Sequence, residues 1–112
     1  MKIRLEHQKT SLRLSKDEFS QLLLGNELHD RTIFPDGTIF MFKTSLSDKP
    51  GLTFLNQCLS IELPTRDLKD HKPDKRGLSF YFQLDNDKEH ELLLEVDIKK
   101  KPLGLKRPVI LE

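Results

Sequence analysis

Met1-Lys2-Ile3-Arg4-Leu5-Glu6-His7-Gln8-Lys9-Thr10-Ser11-Leu12-Arg13-Leu14-Ser15-Lys16-Asp17-Glu18 is the stretch that decides the fold class. Ile3 and Leu5 alternate with Lys2, Arg4 and Glu6, and Leu12 and Leu14 alternate with Ser11 and Arg13. A period of two residues is the signature of a half-buried strand. A two-residue turn at His7-Gln8 would set Leu5 opposite Thr10 and Ile3 opposite Leu12, with the apolar side chains on one face. A slip of one residue would turn that whole set to solvent, so the pattern predicts a hairpin and its register together. Ser15-Lys16-Asp17-Glu18 then forms a capping box, in which the Ser15 hydroxyl and the Glu18 carboxylate each satisfy an orphan backbone N–H. Phe19, Leu22 and Leu23 share one helical stripe, and Gly25 suits the left-handed position that ends a helix. Ile3, Leu5, Leu12, Leu14, Phe19, Leu22 and Leu23 are therefore expected in one core.

Downstream, a second hairpin is expected from about Leu28 to Leu46, turning through Pro35-Asp36-Gly37, where Pro fixes φ, Asp bonds locally and Gly accepts φ > 0. Ile33-Phe34 and Ile39-Phe40-Met41-Phe42 are apolar at consecutive positions, the pattern of a strand buried on both faces. Ser47 to Gly51 reads as a loop. Residues 52–63 then overlie residues 3–14 at a constant shift of 49 (52 − 3), placing Asn56-Gln57 where His7-Gln8 stand and Ser60-Ile61-Glu62-Leu63 over Ser11-Leu12-Arg13-Leu14. A short helix is expected over Thr65 to Lys72, ended by Pro73. Leu78, Phe80, Phe82 and Leu84 alternate in a further strand, an acidic turn follows over Asp85 to His90, and Leu92, Leu94, Val96 and Ile98 line the core face of the last strand. The expected architecture is α+β. Two similar ββαββ halves, residues 1–46 and 52–98, form a curled or closed, mainly antiparallel sheet with two short helices. All 112 residues are expected in a single domain with a basic C-terminal tail, 99–112.

Bulk composition narrows the function classes. The chain has 19 Lys and Arg against 18 Asp and Glu, a net charge of +1, so the strong positive balance of a nucleic-acid-binding domain is missing. Cys58 is the single cysteine, which rules out an intramolecular disulfide and points to a reducing, cytoplasmic compartment. Neither a signal-peptide pattern nor a membrane-length apolar run is present.

Met1-Lys2-Ile3-Arg4 together with Leu12-Arg13-Leu14-Ser15-Lys16-Asp17-Glu18 resembles a family of small bacterial proteins of no assigned activity. Its members open with the same hairpin, typically turning through Gly-Asn where His7-Gln8 stand, and enter a helix through a Thr or Ser cap. The likeness continues more weakly through Ile61-Glu62-Leu63-Pro64 and Leu92 to Ile98, and the family tends to read Glu-Lys-Asp-Phe around Asp97-Ile98. The resemblance implies the strand–helix plan and a bacterial origin. It transfers no catalytic residue.

Catalytic signatures are sparse. His7, His29, His71 and His90 are scattered, no Gly-x-Ser-x-Gly elbow exists, and Cys58 beside a turn reads as a small packed thiol. Asp67, Asp70 and His71, and the crowded Asp87, Glu89, His90 and Glu91, are the only groupings with metal-ligand character. Neither has the spacing of a Ca²⁺ loop, and no metal or cofactor is expected. The organised polar features are rows on strand faces, where residues two apart project alike at about 6.6 Å. Lys2, Arg4, Lys9 and Arg13 form a basic row, and Glu91, Glu95 and Asp97 an acidic one. They are candidate partner-binding faces, or they meet each other, either as neighbouring strands or across a dimer. Lys99, Lys100, Lys101, Lys106 and Arg107 make a second candidate polyanion surface, although no aromatic residue is interleaved there to stack on bases. The function is open. A small cytosolic, non-catalytic binding or interaction domain fits best, with a protein partner or a second copy as its partner. The alternative is a phosphate-transferring or phosphate-hydrolysing enzyme of an eight-stranded tunnel type. Such enzymes carry Glu-x-Glu-x-Lys near the start, where this chain has Lys2-Ile3-Arg4-Leu5-Glu6.

Overall fold

The computed structural model describes residues 1–71, 77–84 and 88–97. Ile98, Lys99, Lys100, Lys101, Lys106 and Arg107 lie outside the described residues, as do Lys72, Pro73 and Asp85 to Asp87 of the turns expected above. In chain order the elements are β1 (Lys2–Glu6), β2 (Lys9–Leu14), α1 (Lys16–Leu23), β3 (Leu28–Ile33), β4 (Ile39–Ser47), β5 (Gly51–Leu55), β6 (Cys58–Pro64), α2 (Thr65–Asp70), β7 (Leu78–Gln83) and β8 (Glu89–Val96).

The first hairpin has the register its alternation predicts, with Leu5 opposite Thr10 and Ile3 opposite Leu12. The capping box of α1 is complete: Glu18 N donates to Ser15 Oγ at 3.1 Å, and Ser15 N donates to Glu18 Oε1 at 2.9 Å. Gly25 ends the helix at φ +95°, and the Gly25 and Asn26 N–H groups donate back to the Leu22 and Gln21 carbonyls. In the Pro35-Asp36-Gly37 turn, Gly37 takes φ +90° and Thr38 N donates to Asp36 Oδ1 at 2.9 Å.

The sheet is neither single nor closed. Among the described residues there are two open four-stranded sheets, ordered β1-β2-β8-β7 and β3-β4-β6-β5. Hairpins β1–β2 and β3–β4 fall in different sheets, with α1 carrying the chain between them. Each sheet joins two antiparallel hairpins through a parallel central pair, β2 with β8 and β4 with β6. Among the described residues no tunnel is enclosed, because each sheet keeps two edge strands, so the eight-stranded closure expected of a tunnel-type phosphate enzyme is not formed. Three of the four central strands, β2, β6 and β8, carry most of the buried apolar positions: Leu12, Leu14, Leu59, Ile61, Leu63, Leu92, Leu94 and Val96 join Phe19, Leu22, Leu68 and Phe80 in one core between the sheets and helices.

Pairing registers coincide between the two sheets. Lys2↔Arg13 is matched by Gly51↔Glu62 at a shift of 49 (51 − 2 and 62 − 13), and Leu28↔Thr44 by Leu78↔Leu94 at a shift of 50 (78 − 28 and 94 − 44). The hairpin turns are equivalent in place: Glu91 N donates to Gln8 O at 3.0 Å, and Met41 N to Gln57 O at 2.9 Å.

Two core expectations need correction. Leu5 is 58% exposed, because it sits at the end of an edge strand with a neighbour on one side only, while Ile3 and Leu23 are half-buried. The apolar run around the second turn is not buried on both faces. Ile33 is 58% exposed and Phe34 and Met41 are exposed, because the outer face of the second sheet has no layer of described residues over it.

Candidate functional site

Alternation within the first sheet sends Ile3, Leu12, Leu14, Leu92, Leu94 and Phe80 inward. Lys2, Arg4, Ser11, Arg13, Glu91 and Glu95 are left on the outer face. Parallel pairing of β2 with β8 makes the basic and acidic rows neighbours. Lys9 stands opposite Glu91 and Arg13 opposite Glu95, and Arg13 Nε donates to Asp97 Oδ1 at 2.6 Å. Asp97 and Glu95 hold the exposed Arg13 guanidinium further above its ordinary pKa, the hydrogen bond to Asp97 contributing most. Glu91 accepts from Ser79 Oγ at 2.9 Å. Glu91 and Asp97 therefore each have a partner within the sheet, and Glu95 faces Arg13.

The basic row is divided by the same arrangement. Lys9 lies between Glu6 on β1 and Glu91 on β8, so its charge is locally balanced. Lys2 instead lies directly opposite Arg13, and Arg4 opposite Ser11. No ion pair among the described residues engages Lys2 or Arg4. Like charges facing each other across strands destabilise a sheet, so the Lys2–Arg13 pair breaks the local rule followed by the rest of this face. Lys2, Arg4, Ser11, Arg13 and Glu95 line one shallow hollow of about 290 Å³. Fixing Arg13 through Nε leaves its Nη groups free to donate in the fork geometry that suits a carboxylate or phosphate.

Ser11 was not among the candidates read from the sequence, although its place in the alternation with Lys9 and Arg13 carried the signal. His90 was grouped above with Glu89 and Glu91 as a metal candidate. All three lie in β8, where alternation puts His90 on the inner face and the two carboxylates on the outer one. His90 Nε2 is instead hydrogen-bonded to buried Thr10 Oγ1 at 2.8 Å. Asp67, Asp70 and His71 likewise make no ligand set, and the His71 ring meets Phe19 edge-on. No cluster of three metal-ligating side chains occurs among the described residues. Cys58 is a free, half-buried thiol opposite Leu55.

Two further concavities open between the sheets at equivalent places. Ile3, Leu5, Thr32, Phe40 and Phe42 line one, and Leu52, Phe54, Phe82, Leu84 and His90 the other. Strands β1 and β3 flank the first, and β5 and β7 the second.

The fold and its polar face define a small two-sheet α+β domain with a cationic hollow on one outer surface. The chain belongs to DUF7009, a family of unknown function, whose model matches residues 1–100. No curated protein matches the chain. No helix among the described residues is long and apolar enough to cross a membrane.

Proposed function

We propose that this is a non-catalytic binding domain that takes an anionic group of its partner into the hollow formed by Lys2, Arg4, Ser11 and Arg13. The observation that carries this reading is a like-charge cluster, Lys2 opposite Arg13 with Arg4 on the same face, in which Asp97 and Glu95 offset Arg13 but no ion pair among the described residues engages Lys2 or Arg4. An oxyanion between the three cations would relieve that repulsion, and Ser11 can donate to it. Asp97 orients Arg13 without occupying its Nη donors. The hollow is shallow and open to water, so affinity is modest and screened by salt. Inorganic phosphate is a suitable probe. Titrated calorimetrically at low ionic strength, it should bind the protein, bind Arg4→Glu more weakly by at least tenfold, and lose affinity as sodium chloride is added. Equal affinity for the protein and Arg4→Glu would end the proposal.

We also propose that residues 1–112 act as one domain whose halves, 1–46 and 52–98, descend from one duplicated ββαββ unit. The matching registers at shifts of 49 and 50 support this. A single half leaves its two hairpins in different sheets and their central strands unpaired, so neither half is expected to fold alone. A cytoplasmic location in a bacterial cell fits the single free thiol at Cys58 and the resemblance carried by residues 1–18.

A further inference from the structure

Among the described residues four strands form the sheet edges, and their sequences divide them. β1 (Lys-Ile-Arg-Leu-Glu) and β3 (Leu-His-Asp-Arg-Thr-Ile) carry charges, the usual guard against unwanted strand pairing. β5 (Gly-Leu-Thr-Phe-Leu) carries none, and its outer end exposes Phe54 at 64% and Leu55 at 71%. β7 is also uncharged, but residues 72–76 and 85–87 on either side of it lie outside the described residues, so β5 carries the argument.

The turn after β5 specifies what its free edge presents. Asn56 and Gln57 both have positive φ, +52° and +63°, which closes a two-residue hairpin with Leu55 opposite Cys58. In such a hairpin the closing pair exchanges both hydrogen bonds, and the pattern then alternates along the strand. Leu55, Thr53 and Gly51 bond inward to β6, while Leu52 and Phe54 turn their N–H and C=O groups to the open edge. A second β5 can meet those groups antiparallel about a two-fold axis in one central register. Leu52 then faces Phe54 of the second copy, Phe54 faces its Leu52, and Thr53 falls on the axis opposite itself.

We propose that β5 is a self-pairing edge that joins two copies of this chain into one continuous eight-stranded sheet. Each facing pair in that register is favourable: a Thr–Thr pair on the axis, and two aromatic–aliphatic pairs on the face that lines the cleft with Phe82 and Leu84. The equivalent strand β1 cannot do the same, because its central register sets Arg4 against Arg4. β3 meets itself through Asp30 or Arg31. A five-residue edge is small beside a standard interface, so the dimer is weak and its population depends on concentration.

Cross-linking tests the register as well as the association. In a Cys58→Ser background, Thr53→Cys should form a disulfide-linked dimer under mild oxidation, since facing positions in a non-hydrogen-bonded pair bring Cβ atoms close. Leu55→Cys in the same background should not, because its partner position is Gly51. Sedimentation equilibrium should show a concentration-dependent dimer that Phe54→Lys shifts to monomer, while at dilutions where both proteins are monomeric the thermal midpoint drops only slightly, since Phe54 is 64% exposed and its ring meets Phe40 edge-on. The proposal is overturned by a monomer at every concentration, by a dimer that Phe54→Lys leaves intact, or by Leu55→Cys cross-linking as readily as Thr53→Cys.

Discussion

Hairpins β1–β2 and β5–β6 share a register and differ almost entirely on one face. Inward, Ile3, Leu12 and Leu14 correspond to Leu52, Ile61 and Leu63, apolar for apolar. Outward, Lys2, Arg4 and Arg13 correspond to Gly51, Thr53 and Glu62. The core side sustains the backbone arrangement twice, and the solvent side is free to carry different chemistry. One hairpin holds a cationic hollow, and the other an uncharged edge. A Cβ at Gly51 would lie 2.5 Å from Glu62 Oε1, the end of an exposed side chain that can turn aside, so the backbone there does not demand glycine.

The comparison breaks most readily in the core. Leu12 and Ile61 occupy corresponding positions and are both fully enclosed, so Leu12→Ala and Ile61→Ala should each cost roughly 2–5 kcal/mol in denaturant unfolding. A large loss at one position and none at the other would mean the sheets do not share one core. The helices give the next contrast. α1 has a complete capping box, whereas α2 begins after Pro64 with no side-chain cap bond. Ser15→Ala should therefore cost about 1 kcal/mol. Burial opposes ionisation of Glu18, but the bonds it accepts from the Met1 ammonium and from Ser15 outweigh that, and its carboxyl sits below its ordinary pKa. Its contribution is fully present above the unfolded value and is lost as pH falls through the lower folded one. Acid unfolding of Glu18→Gln should accordingly show a shallower loss of stability below about pH 4.5 than the parent protein.

The turns give a smaller effect of opposite sign. Gln8 is the one left-handed residue of the first turn, while Asn56 and Gln57 are both left-handed in the second. Gln57→Gly creates the preferred Asn-Gly pair and should raise stability by up to about 1 kcal/mol. A loss on that substitution would mean that the Gln57 side chain contributes to the fold beyond the turn.

The hairpins, their registers and the α1 cap were legible in the sequence because each is a local pattern: alternation over five or six residues, a two-residue turn, a Ser and a Glu three apart. The division into two sheets was not. Alternation says which face of β2 is buried but not which strand lies beside it. The parallel partner β8, some eighty residues away, leaves no local mark on Lys9 to Leu14. Leu5 shows the same limit, since its phase is inward and only its place at the end of an edge strand exposes it. For the site, the two charged rows could be read from the sequence. Which cations the acidic row engages could not, because that follows from the β2–β8 pairing.

The account places anion recognition on one of two equivalent outer faces, and a single titration reads both. Backbone amide shifts of the full chain, followed by NMR as inorganic phosphate is added at low ionic strength, should move Lys2, Arg4, Ser11 and Arg13 along a common saturating curve. Gly51, Thr53, Ser60 and Glu62, their counterparts in β5–β6, should stay in place. Equal movement of both sets, or movement of the second set alone, would contradict it.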